Sequence, residues 1–201
     1  VSVLTHQLDY RLWPDHPALM HVHSVLWYGL LAAAAAVLYR RLMGATWIAG
    51  LAALMYAIDD AHGLPVGWLA NRNAVVATFF GVLAIVAHDA WRRHNKRWAI
   101  VGGPLLLGVS VLSAEAGIGT CAYLLAYALF LDHGLWRRRL ASLLPYAAVI
   151  VAWRVAWSLQ GYGADGLGLY ADPLHDPLTF LGNLLRLAPV LLLGQWALPP
   201  A

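Results

Sequence analysis

An all-α, polytopic bundle of membrane-crossing helices is the fold class this sequence predicts, and three observations predict it. Of its 201 residues, 61% are hydrophobic and 11% charged, with a mean hydropathy of +0.64, a balance far more apolar than that of a water-soluble domain. The apolar residues gather in runs without the period-two alternation of barrel strands, so backbone groups in lipid would have to pair within helices. Basic clusters occupy every second connection between the runs, the pattern of a chain threaded back and forth through a bilayer with its positive loops on the cytoplasmic side.

In chain order the runs cover 18–39, 45–58, 74–90, 98–112, 117–131, 141–159 and 178–197. At roughly 20 residues per crossing they amount to about six or seven membrane segments, with the short run 45–58 completed by its flanks or bent into a re-entrant course. No soluble domain, repeat or low-complexity linker interrupts them, so 1–201 reads as a single transmembrane domain. The chain opens at Val1 with no secretory pattern and closes directly after an apolar run, and is read as a piece of a longer protein.

Arg40 and Arg41, then Arg92, Arg93, Lys96 and Arg97, then Arg137, Arg138 and Arg139 mark the cytoplasmic connections. The external ones are then 1–17, 59–73, 113–116 and 160–177. These hold Asp9, Asp15, Asp59, Asp60, Glu115, Asp165, Asp172 and Asp176, leaving only Asp89 and Asp132 near the basic side. The net charge of +3 therefore comes from clusters that set membrane orientation and does not point to nucleic acid. Cys121 lies alone in an apolar run and reads as a small core residue.

The densest polar stretch is 59–73. Its carboxylates Asp59 and Asp60 are suited to base chemistry, to positioning an acceptor or to holding a divalent cation. His62 can transfer protons, and Arg72, flanked by Asn71 and Asn73, offers a planar fork of donors for a lipid phosphate. The plainer alternative is a connector: the aspartates cap a helix, Trp68 anchors at the interface and Arg72 reaches the headgroups. Glu115 stands alone between two apolar runs, where a carboxylate calls for a partner, and Arg72 or His62 on the same side could supply one. His21 and His23 are two residues apart and point to different sides of a helix, which argues against a zinc pair. Phosphate-cradling, dinucleotide-binding and nucleophile-elbow motifs are absent from the sequence, and the glycine-rich stretch 161–168 reads as a flexible loop.

At these residues the chain resembles the multispanning GT-C class of membrane glycosyltransferases, in particular the relatives of transmembrane O-mannosyltransferases. Ser2 to Thr5, then Leu8, Asp9 and Tyr10, then His21 resemble the segment entering the second membrane helix of that class, with Ser24 and Tyr28 where the class has Asn and His. His62, Trp68 and Arg72 match an external pattern of Pro, His, Glu, Trp and Gly-Arg, with Asp60, Leu64 and Asn71 at the Pro, Glu and Gly positions. Ser113, Ala114 and Glu115 are similar to a Ser-Lys-Glu turn in which Ala114 replaces Lys. The resemblance runs to about Asp132 and more weakly over 170–177, and it places the acidic residue usually assigned as catalytic before Val1.

What the resemblance implies is transfer of a sugar from a polyprenyl-phosphate donor in the membrane to an acceptor at the external face, in a bacterial inner membrane with its site on the periplasmic or external side. It implies catalytic roles for Asp59, Asp60, His62 and Glu115 and phosphate contacts for Arg72, Asn71 and Asn73. Two rivals from other classes stay open: a transporter or lipid-binding protein, and a catalytically silent assembly subunit.

Overall fold

In the computed structural model of the chain the described residues are 2–162, 173 and 176–194. They are helical, with no strand among them. They divide into two units, 1–156 and 157–201.

The first unit opens with α1 (Ser2–Leu12), a helix whose buried face is polar. Ser2, Thr5 and Asp9 lie at helical spacing and are buried, while Val3, Leu4, Leu8 and Leu12 are exposed. This inversion of the water-soluble pattern suits a helix lying at a membrane surface with its apolar side toward lipid. A turn leads into α2 (Pro17–Met43), which starts with Pro at its first position and ends at Gly44, where φ is 76°. Arg40 and Arg41 occupy its last turn, where the helix dipole favours cations.

Next comes α3 (Trp47–Ile58), capped by the Thr46 hydroxyl, which accepts from the Ala49 N–H at 3.2 Å. At 12 residues it extends about 18 Å. The connection that follows is built of short turns: a 3-10 turn Asp60–His62, α4 (Gly63–Gly67) and a second 3-10 turn Leu69–Asn71. They deliver the chain to α5 (Arg72–His94).

The axis of this unit is α5. It packs against α2 on one side and α6 (Trp98–Val111) on the other, with α7 (Thr120–Ala126) beside them. In the most apolar window of the helical stretch Leu69–His94 56% of the residues are buried, against 22% for α2 and 11% for the stretch Trp136–Leu159, so α5 is the inner helix and the others present apolar faces outward. Gly81 permits the approach to α7, because a Cβ there would collide with the Thr120 hydroxyl. The Ser110 hydroxyl of α6 donates to the Ala77 carbonyl of α5 at 2.7 Å. Ala84, Ile85, Leu107, Val111, Leu124 and Tyr146 form the core.

Between α6 and α7 lies the 3-10 turn Glu115–Gly119, and α7 runs on into a π-helical turn, Tyr127–Leu131. Then α8 (Trp136–Ala141) and α9 (Leu144–Leu159) follow.

Three helical stretches, Pro17–Met43, Leu69–His94 and Trp136–Leu159, are long and apolar enough to cross a membrane. The runs 45–58, 98–112 and 117–131 form the shorter apolar helices Trp47–Ile58, Trp98–Val111 and Glu115–Leu131. Among the described residues, then, three of the six or seven expected segments reach spanning length; the runs 45–58, 98–112 and 117–131 are cut short by turns at 59–71 and 113–119.

In the second unit the Trp157 and Tyr162 rings pack at 5.1 Å, and α10 (Pro177–Gly194) begins where the Asp176 carboxylate accepts from the Thr179 N–H at 3.1 Å. That hydrogen bonding with Thr179 holds the Asp176 carboxyl below its ordinary pKa. The glycine-rich stretch from 163 on, with Asp165 and Asp172 of the expected external loop 160–177, lies outside the described residues.

Candidate functional site

Arg72 heads α5, and its side chain is completely buried. A guanidinium cannot be left unpaired in such a place, and α1 and α2 supply what it needs. Its Nη1 donates to Asp9 Oδ2 at 2.5 Å, its Nε to the Ser24 hydroxyl at 2.8 Å and its Nη2 to the Met20 carbonyl at 2.7 Å. Asp9, with its side chain only 1% exposed, is the carboxylate of this ion pair. It reaches α5 because the polar stripe of α1 faces inward.

The second oxygen of Asp9 lies 2.5 Å from His23 Nδ1. On the other edge of that ring the indole N–H of Trp27 donates to His23 Nε2 at 3.1 Å. An imidazole nitrogen that accepts carries no proton, so Trp27 assigns the proton of a neutral His23 to Nδ1, aimed at Asp9. One buried anion is thereby shared between a permanent cation and a neutral N–H donor. Nearby, burial together with the charge of Arg72 holds His6 below its ordinary pKa.

One turn further along α2, a groove of about 340 Å³ is lined by Tyr28, Asp59, Asp60, His62, Gly63 and Val66, among others. Tyr28 closes the end of α3, its hydroxyl within 3.2 Å of the Tyr56 carbonyl and 2.9 Å of that of Ala57. The His62 ring is held between Tyr28 and Tyr56, at centroid distances of 5.1 and 4.6 Å, and its Nε2 is buried without a hydrogen-bond partner. Asp59 is exposed and accepts from the Ala61 N–H at 2.9 Å, capping the turn. Asp60 is exposed as well.

The expected site residues thus separate into two places. Asp59, Asp60 and His62 line one groove. Arg72 is turned inward, with its three nitrogens donating within the protein, so the expected phosphate contact would need the cluster to open. Asn71 and Asn73 flank it half-buried, and the Asn73 side chain accepts from the Ala74 N–H. Glu115 does not meet Arg72: it is exposed and forms no ion pair among the described residues, and the turn it heads is held close to α6, where Gly117 lies against the Ser110 backbone. The partner of Arg72 is Asp9. No group of three or more His, Cys, Asp or Glu side chains among the described residues is arranged to hold a metal ion, so Asp59 and Asp60 could offer a divalent cation only a sparse ligand set.

No protein-family model, no curated protein and no solved structure matches this chain. Function therefore rests on the chemistry of the two places just described.

Asp9, His23 and Ser24 were named from the sequence without being assigned to the site. A signal for Asp9 was present in the spacing Ser2, Thr5, Asp9, which puts three polar residues on one helix face, since a carboxylate so placed beside a membrane needs a cation. His23 and Trp27 stand four apart and so share a helix face.

Proposed function

We propose that the chain is the helical body of an integral membrane protein of glycosyltransferase type, which passes a sugar from a polyprenyl-phosphate donor to an acceptor at the external face. The shorter apolar helices, completed by their flanking turns, bring the count of membrane segments to six or seven. The observation that carries the reading is the groove of Tyr28, Asp59, Asp60 and His62, which sits beside apolar helices at the end of α2 and α5 away from Arg40, Arg41, Arg92 and Arg93. A donor whose chain lies in lipid and whose headgroup lies in water has to react at such a boundary.

In this reading Asp60 is the base. The acceptor hydroxyl gives its proton to Asp60 while its oxygen bonds to the sugar C1; the bond from C1 to the carrier phosphate oxygen breaks, and polyprenyl phosphate leaves. Asp59, engaged in capping, fixes the turn that presents Asp60. Arg72 is a positioning residue: clamped by Asp9, Ser24 and Met20, it anchors the start of α5 and with it the turns of the groove. The resemblance to GT-C enzymes supports the overall transfer, whereas the choice of Asp60 as base rests on its exposure in the groove.

A second reading is favoured by the consumption of the Arg72 donors inside the protein, which suits a silent assembly subunit or a lipid-binding relative. One experiment separates the two. Full-length protein in nanodiscs would be assayed with polyprenyl-phosphate-linked sugars for transfer and, separately, for donor binding. Asp60→Asn should lower transfer by about 100-fold or more while leaving donor binding within about twofold. Undiminished transfer in Asp60→Asn removes the assigned base, and a wild type that binds donor without transferring sugar establishes the silent reading.

A further inference from the structure

At the opposite end of α5 the left-handed Asn95, with φ 50°, ends the helix: its N–H reaches the Trp91 carbonyl, and the Lys96 N–H reaches that of Ala90, both at 3.1 Å. The chain is thereby folded back so that Lys96 joins Arg40 and Arg41 from the last turn of α2. Together with Val37, Ala90 and His94 they line a groove of about 530 Å³.

Four of those six residues carry a basic side chain. The carboxylate that contacts Arg41, Asp89, is buried and shared: Arg41 and Arg93, the latter outside the groove, each lie 3.2 Å from it, and the Tyr127 hydroxyl donates to it at 2.9 Å. Arg41 is therefore oriented by Asp89 without the groove being neutralised, since Arg40 and Lys96 add two further charges. Membrane orientation requires a number of cations on one side; it does not require them to converge on one cavity from two helices.

We infer that this groove binds the phosphate of an anionic membrane lipid. The choice of lipid over free phosphate rests on α2. Leu26, Leu30, Ala33 and Val37 are exposed and follow one another at steps of three or four residues, which makes an apolar track along one face ending at Arg40 and Arg41. An acyl chain lying on that track brings its headgroup into the groove, as basic pockets at helix ends do for acidic phospholipids. This inference does not depend on the sugar-transfer reading, because the groove lies at the other end of α5.

The test uses full-length protein in phosphatidylcholine nanodiscs with and without phosphatidylglycerol, reading thermal stability and lipid retention by native mass spectrometry. Phosphatidylglycerol should stabilise the wild type and the control R137Q/R138Q, which removes two exposed charges elsewhere. The variant R40Q/K96Q should lose the response, with apparent affinity reduced about tenfold or more, and R40K/K96R should recover it. All variants should match the wild type in phosphatidylcholine alone. An undiminished response in R40Q/K96Q, or an equal loss in the control, would overturn the site. Equal stabilisation by millimolar inorganic phosphate would overturn the lipid assignment.

Discussion

The two ends of α5 handle buried charge in opposite ways. At its start the cation is the enclosed partner: Arg72 is 0% exposed and Asp9 is 1%, so neither can reach water without the packing of α1 and α2 coming apart. At its finish the anion is enclosed and the cations are not: Asp89 is 1% exposed, while Arg41 and Arg93 remain 35% and 31% exposed. Two long side chains that snorkel keep most of their hydration, whereas a fully enclosed guanidinium gives up all of it and must recover the loss from fixed partners. The first end is consequently brittle and specific, the second tolerant.

The largest expected effect tests that brittleness. Arg72→Gln or Asp9→Asn should each destabilise the protein by about 3–5 kcal/mol, because each leaves a buried charge unpaired. The double variant should lose less than the sum. Thermal unfolding of all three in detergent would show this, and strict additivity would mean that the pair is not one unit.

A smaller, graded effect is expected at the other end. Asp89→Asn should cost about 1–3 kcal/mol through the weakened hydrogen bonds from Tyr127 and the arginines, both of which can turn to water. Arg41→Gln should stay within about 1 kcal/mol, given its exposure. A loss on Arg41→Gln as large as that on Arg72→Gln would erase the contrast between the ends.

The smallest effect is in acid. His6, beside Arg72, has a folded pKa held below 6.5, so its contribution is complete above 6.5 and is lost as the pH falls below that value through the folded pKa. For Asp132, burial pushes the carboxyl up, but hydrogen bonds from Arg92 at 2.6 Å and from the Gly134 N–H, with the Arg92 and Arg139 charges, bring it below 3.8 overall. Its contribution is present above 3.8 and is lost only as the pH falls below that. Amide hydrogen exchange, corrected for intrinsic rates, should show the Arg72 end loosening first as the pH falls below 6.5 while the Asp132 end holds until the pH is below 3.8. His6→Gln should abolish that early loosening; its persistence would assign it to another group.

Legibility differed along the same helix. Arg72 and the polar stretch 59–73 stood out because ionisable residues are rare among apolar runs, and the turns there carry the caps that Asp59 and the glycines suggest. Glu115 stood out for the same reason and was assigned a charged partner, yet its turn points it outward. Asp9 was read as an external-loop acid within a segment resembling the GT-C class; its spacing with Ser2 and Thr5 marks one helix face, but nothing local says that this face will be laid against α5. The groove of Arg40, Arg41 and Lys96 was visible only as two separate basic clusters.

What the sequence determined by itself are the properties that depend on near neighbours: helical runs demanded by apolar composition, the separation of acidic from basic connections, and the turns that break the chain between them. Tertiary structure alone decided which charges meet. Arg72 finds Asp9 across 63 residues and Asp89 finds Arg41 across 48, and no local propensity encodes such a choice. It follows from the packing of α1, α2 and α5, where each enclosed charge has to find its counter-charge before its water can be removed.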